Sequence, residues 1–144
     1  MFSGTYRFRV DAKGRLAVPA RFREQLPTGS FISIGPEMVL SIYPPAEWDR
    51  LGAQLPSPLG ATPEQRELSR ALHAMAVPCG FDHQGRVMLS QEQRRLAAIE
   101  TSSTVAVIGS GAVVEIWPEA RWDSYSGDAL SRFTDTVNKV IQGH

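Results

Sequence analysis

Apolar positions along this chain fall in short period-two runs punctuated by turn residues, and the runs come in two matching sets. Residues 6–10 and 16–18 flank Asp11-Ala12-Lys13-Gly14, and residues 77–81 and 87–89 flank Asp82-His83-Gln84-Gly85. Alternation on both sides of a glycine-bearing turn predicts two strands joined by a tight turn in each set. Gly14 and Gly85 supply a position where positive φ costs little, and the leading Asp11 and Asp82 can accept hydrogen bonds from turn amides. A short helix is expected next, opened by Pro19 in the first set and by Ser90 with Gln93 at capping-box spacing in the second. Two further strands follow in each set. They cover residues 31–34 and 38–43, turned at Gly35-Pro36, and then 105–108 and 112–117, turned at Gly109-Ser110-Gly111.

Elsewhere the period changes to that of a helix. Trp48, Leu51 and Leu55 fall at i, i+3 and i+7 behind a proline start, and Pro56-Ser57-Pro58-Leu59-Gly60 breaks that helix. A connecting helix is predicted from Thr62-Pro63, with Thr62 and Gln65 at capping-box spacing and Leu68, Ala71, Leu72, Met75 and Ala76 on one stripe. From Asp128, the residues Leu130, Phe133, Val137, Val140 and Ile141 keep helical spacing. Both stripes read as core-facing, with some positions available for subunit contacts.

The two sets are one unit written twice. Asp11 to Leu16 recurs as Asp82 to Val87, and Arg23 still matches Arg94 at the same offset of 71 residues. After a length change, Phe31 to Gly35 matches Val105 to Gly109, Ile42-Tyr43-Pro44 matches Ile116-Trp117-Pro118, and Trp48-Asp49 matches Trp122-Asp123. A unit this short cannot bury much core alone, whereas two copies can pack against each other. The expected organisation is therefore a pseudo-dimer of α+β class, mainly β: repeat one at 5–47, a helical linker at 48–75, repeat two at 76–119 and a C-terminal helix at 120–144.

The 144 residues carry zero net charge, but the total conceals a segregation. Residues 1–23 hold six basic side chains and one acid, leaving nine basic and fourteen acidic side chains for the rest. A bipolar subunit suits a protein that meets a polyanion with one face and assembles through another. No apolar run approaches membrane-spanning length and the start lacks a signal-peptide plan, so a cytoplasmic protein is expected. Cys79 excludes an internal disulfide and reads as packing filler, and the histidines at 73, 83 and 144 show no zinc-ligand spacing.

The sharpest candidate chemistry is the repeated turn. Arg15 and Arg86 sit just past it, where a side chain can project from the end of a strand pair. Arg7, Arg9, Lys13, Arg21 and Arg23 crowd the same end of the first unit. If strand alternation ran on into the turn, Arg7, Arg9, Lys13 and Arg15 would share a face with Asp11. Such a stripe can meet phosphates, and an arginine fork can contact guanine edges in a major groove that admits a two-stranded ribbon. Alternatively, the Asp-Arg pairs only brace the turns, the basic face is merely solvated, and the chain is an oligomeric interaction module without specific DNA binding. Catalysis has little to stand on. Cys79 has no activating His motif, no Gly-x-Ser-x-Gly elbow is present, and Gly109-Ser110-Gly111 leads into a strand rather than a helix. No catalytic residue, metal site or cofactor is expected.

The Asp11-x-x-Gly14-Arg15-Leu16-x-Val18-Pro19 run resembles the bacterial MraZ family, which carries two SpoVT-AbrB-type units. So do its degenerate second copy, the Ile-Tyr-Pro and Ile-Trp-Pro triplets with their following tryptophans, and the length. The resemblance spans essentially the whole chain. It implies a tandem-duplicated, swapped-hairpin AbrB-like β-barrel with flanking helices and a ring-shaped homo-oligomer. It also implies sequence-specific binding to double-stranded DNA at short direct repeats upstream of the division and cell-wall gene cluster, including the protein's own gene. The usual role is that of a repressor, in the cytoplasm and nucleoid-associated. By position, the family's repeated Asp and Arg fall on Asp11 with Arg15 and Asp82 with Arg86, and its basic positions fall on Lys13, Arg21 and Arg23. The second copy departs from this pattern with His83-Gln84 for Ala12-Lys13, Ser90 for Pro19 and Glu92 for Arg21. Its tip is the less basic, so the two ends are expected to be unequal, with the second contributing through Arg86 or through assembly.

Overall fold

The computed structural model describes residues 1–143; His144, a member of the histidine set above and the last residue of the expected C-terminal helix, lies outside the described residues. In chain order the first half contains β1 (Phe2–Arg9), β2 (Arg15–Ala17), α1 (Ala20–Arg23), β3 (Phe31–Ile34), β4 (Leu40–Tyr43), α2 (Pro45–Ala53) and α3 (Pro63–Ala74). The second half contains β5 (Val77–Pro78), β6 (Arg86–Met88), α4 (Gln91–Ala97), β7 (Thr104–Gly111), β8 (Val113–Pro118), α5 (Glu119–Ser131) and α6 (Phe133–Val140). The class is α+β, with antiparallel strands and helices laid around them.

The strand order is β1-β7-β8-β4-β3-β5 in one six-stranded sheet, and β2-β6 in a separate two-stranded ribbon. Among the described residues the ladders therefore do not close into a single barrel, because β2 and β6, three residues each, pair only with each other. The strands flanking each Asp turn also do not pair with one another as the local alternation suggested. The Asp11 amide donates to Arg15 O and the Gly14 amide to Asp11 O, both at 3.0 Å, which closes the turn. Beyond it the chain diverges. The Val10 amide goes to Ser103 O at 2.9 Å, and β1 pairs with β7 from Phe2↔Gly111 to Arg9↔Thr104.

The pairing partners come from the other repeat. β1 of the first unit bonds β7 of the second, and β5 of the second bonds β3 of the first. Leu16 and Val87, equivalent at the offset of 71, face each other in the ribbon. Ser41 and Glu115, equivalent at the offset of 74, face each other where β4 meets β8. A two-fold pseudo-axis thus runs through both pairs.

That axis pierces the core. Leu16, Val18, Ile32, Leu40 and Ile42 from the first unit and Val87, Leu89, Val105, Val107, Val114 and Ile116 from the second form one buried cluster. Burial of each such side chain contributes about 1.5–3 kcal/mol, so neither unit keeps its core without the other. Cys79 is buried in the same cluster, and loss of hydration pushes its thiol up to about 12, where it stays protonated. The opposite sheet face is covered at two ends. Trp48 of α2 stacks on Phe31 and tilts against Tyr43, while Trp122 of α5 meets Trp117 edge-on at 5.3 Å.

Two expectations are corrected. The last hairpin turns at Gly111-Ala112, with Gly111 at φ +76°, rather than across Gly109-Ser110-Gly111; Ser110 pairs with Val113, and Phe2, Ser3 and Gly4 of β1 extend the ladder along β7 to Gly111. The stripe predicted as C-terminal core is largely outside, with Leu130 at 71%, Phe133 at 61% and Ile141 at 78% exposure. Helical spacing makes an apolar face, and among the described residues nothing packs against most of it. In α3 only Leu72 is buried, while Leu68 is exposed.

Candidate nucleic-acid interface

Each Asp-x-x-Gly-Arg segment folds by the same local hydrogen bonds. In the first, Asp11 Oδ1 accepts from the Lys13 and Arg15 amides at 2.9 and 2.8 Å, and Oδ2 accepts from Arg15 Nε at 2.6 Å. In the second, Asp82 Oδ1 accepts from the Gln84 and Arg86 amides at 2.9 Å each, and Oδ2 from Arg86 Nε at 2.9 Å. Gly14 at φ +87° and Gly85 at φ +75° sit in the left-handed region, which a side chain would strain. Three donors per carboxylate favour its charged form. The Arg15 amide is the chief cause that takes Asp11 from its ordinary 3.8 down to about 2, and the Arg86 amide lowers Asp82 in the same way.

The β2-β6 ladder sets the two turns at its opposite ends and brings their arginines toward one another. Arg86 Nη1 lies 3.5 Å from Asp11 Oδ2, so Asp11 draws both arginines, while among the described residues Asp82 holds only its own. Arg15, opposite Met88, and Arg86, opposite Ala17, lie at opposite ends of the ribbon, but their side chains converge on one face at Asp11, and exposed Lys13 stands at the first turn's tip. Exposed Arg9 closes β1 just before that turn. Among the described residues, neither the Lys13 nor the Arg9 side chain has a hydrogen-bond or ion-pair partner.

The remaining predicted basic residues are engaged inside the fold. Arg7 pairs with Asp123 at 2.8 Å and Glu119 at 3.0 Å on α5, and the Asp123 hydrogen bond leads in raising its pKa above the usual arginine range. Arg21 donates to both oxygens of Ser3 at 2.9 Å and lies over the Tyr6 and Phe22 rings. Arg23 donates to Val18 O at 2.6 Å and lies against Gly85. β1 stops at Arg9, so Arg7, Arg9, Lys13 and Arg15 do not lie along one continuous strand.

Two residues carry weight that the sequence reading did not assign. Arg94 donates to Leu89 O at 3.2 Å and lies against Gly14. Its match to Arg23 was the available signal. Gln93 is fully buried, completes the Ser90 capping box, and donates Nε2 to Ile32 O and Met75 O, pinning the end of the linker to β3. A buried amide with this many partners has no periodic signature. Among the described residues no group of three or more His, Cys, Asp or Glu side chains is arranged to hold a metal, and no helix is long and apolar enough to cross a membrane.

Comparison with known proteins agrees with the duplication. The family model described as "MraZ protein, putative antitoxin-like" matches twice, over residues 1–71 and 72–141. Proteins named Transcriptional regulator MraZ are similar over nearly the full length. That of Heliobacterium modesticaldum is 36% identical, covering 98% of this chain and 97% of its own, and that of Kineococcus radiotolerans is 38% identical, covering 99% of each. A Mycobacterium relative of the same name is 34% identical over 99% of this chain and 98% of its own. Two family matches in tandem, together with relatives aligned end to end, establish that the chain belongs to the MraZ family.

Proposed function

We propose that this protein is a sequence-specific DNA-binding transcriptional regulator, acting as a repressor at short direct repeats upstream of the division and cell-wall gene cluster that includes its own gene. The observation that carries the reading is the face of the β2-β6 ribbon. Charged turns at its two ends bring the Arg15 and Arg86 side chains together over Asp11, with Lys13 projecting from the first turn. A two-stranded ribbon fits a major groove about 12 Å wide, and arginine forks can read guanine edges there. The names of the relatives support regulation of transcription as the outcome.

In this reading Arg9, Lys13, Arg15 and Arg86 touch DNA directly. Arg21 and Arg23, engaged within the fold with neutral partners, strengthen the local positive field, whereas the charge of Arg7 is offset by Glu119 and Asp123. Repeats at 5–47 and 76–119 form a swapped-hairpin barrel whose end is the ribbon, the linker at 48–75 joins them, and the helical segment from 120 flanks the barrel. Copies assemble into a ring that meets successive DNA repeats, and linkage of weak contacts supplies avidity. The protein acts on the nucleoid, in the cytoplasm.

The test is a titration of the purified protein into a labelled duplex from upstream of its own gene, beside a scrambled duplex of equal composition at fixed salt. Preference for the upstream duplex is expected. Equal, salt-fragile binding to both would reduce the site to a basic face. Absence of binding by the folded protein would instead favour an oligomeric interaction module, for which the exposed apolar face of α5 and α6 is the supporting feature.

A further inference from the structure

We propose that Arg94 and Arg23 are positioning residues acting crosswise: the helix of each unit sets the DNA-facing turn of the other. Arg94 belongs to the less basic second unit, yet it holds the turn that carries Lys13 and Arg15.

The contacts form two equivalent closed circuits. The Gly14 carbonyl accepts from the Leu89 amide at 2.9 Å, and Arg94 Nε donates to the carbonyl of that same Leu89 at 3.2 Å. The guanidinium then lies against Gly14, its Nε 2.8 Å from where a Cβ would stand. In the other half, the Gly85 carbonyl accepts from the Val18 amide at 3.2 Å, and Arg23 Nη1 donates to the Val18 carbonyl at 2.6 Å. That guanidinium lies against Gly85, with Nη1 2.5 Å from the Cβ position. Both glycines are buried and both arginines half-buried, unlike exposed Lys13 at the tip. A planar group bonded to a strand carbonyl and seated on a bare glycine fits the role of a template better than that of a free phosphate contact. The glycine is therefore needed twice, once for its positive φ and once for the space the arginine occupies.

The exchange half of the test needs no DNA, and only the binding half rests on the proposed function. Hydrogen exchange of the full chain is measured for peptides covering 11–16 and 82–87, in the wild type, Arg94→Gln and Arg23→Gln. Arg94→Gln is expected to speed exchange at 11–16 about tenfold, the equivalent of one lost hydrogen bond to a charged donor, and to leave 82–87 nearly unchanged. Arg23→Gln should show the reverse. Loosening of the turn in the mutated unit, or of neither turn, would overturn the proposal. If Arg94→Gln opens the whole chain uniformly, Arg94→Lys decides, because it keeps the charge and the aliphatic stem. Loosening at 11–16 supports the template, and full protection there refutes it.

The binding half uses the upstream and scrambled duplexes. Arg94→Gln should lower affinity for the upstream duplex about tenfold while barely changing affinity for the scrambled one. A direct phosphate contact would weaken both alike and reduce the salt slope by about 0.9, with lysine restoring it, and that result would overturn the positioning role. If the wild type prefers neither duplex, the proposed function fails while the exchange pattern still decides the crosswise clamp.

Discussion

The two turns of this protein are the same object in their backbones and different objects at their surfaces. Each has an aspartate accepting from three donors and a glycine at positive φ, and each is seated against an arginine from the opposite unit. Outward, the first shows Ala12-Lys13 and the second His83-Gln84. Asp11 also attracts Arg86, and no contact of Arg15 with Asp82 returns the favour among the described residues. The comparison teaches that the shape of such a turn and its charge are separable. The inner half is set by glycine, aspartate and the partner helix, leaving the outer half free to carry or to lack a cation.

The shared half is where change should hurt most. Gly14→Ala and Gly85→Ala each force a Cβ into the left-handed region and against a guanidinium, and each should cost about 2–3 kcal/mol. Similar losses in urea midpoint would confirm that the turns are structurally equal, and a near-neutral result at either would break the equivalence. Arg15→Ala is expected to weaken binding to the upstream duplex by about 1–3 kcal/mol with oligomer size unchanged, and Arg86→Ala by less. Gel-shift titration with parallel size measurement checks this, and a larger effect at Arg86 would invert the proposed inequality. Charge can also be added. Gln84→Lys should make the second tip resemble the first, improving affinity a few-fold and steepening the salt slope by about 0.9.

The smallest effect concerns acid. Asp11 has a folded pKa of about 2 against an ordinary 3.8, so on acidification the unfolded chain takes up that proton first. Its stabilisation is complete above about pH 4 and drains away as pH falls toward about 2. Asp82, also lowered, acts in the same direction. Asp11→Asn should flatten this part of the stability-against-pH curve more than Asp82→Asn, measured by urea midpoints between pH 5 and 2. Equal flattening would show that the extra attraction from Arg86 has no energetic consequence.

Much of this was legible from repetition alone. The offsets that match Asp11 with Asp82 and Ile42 with Ile116 also carry the pseudo-axis through Leu16 and Val87. The capping boxes at Thr62 and Ser90 formed as their spacing dictates. Strand partners were not legible. Alternation reports which face of a strand is buried and is silent about the neighbour it bonds, so residues 6–10 and 16–18 looked like one hairpin while each bonded the other unit. The C-terminal stripe misled for a related reason, since periodicity at Leu130, Phe133, Val140 and Ile141 defines an apolar face without naming anything to cover it. At the site, residue type marked Arg23 as a candidate DNA contact, but only the fold shows it spanning to Gly85.

The exchange of strands between units also sets a timetable for synthesis. β1 leaves the ribosome well ahead of the strand it bonds, β7, which follows roughly a hundred residues later, a delay of about 5–20 s at ordinary translation rates. Until then β1 is an unpaired edge with Phe2, Tyr6 and Phe8 uncovered, and β3 likewise waits for β5. Domains that fold unit by unit can start early, but this chain must be held open until its second half emerges. The nascent protein is therefore most exposed to mispairing with a neighbouring copy while only its first repeat has been made.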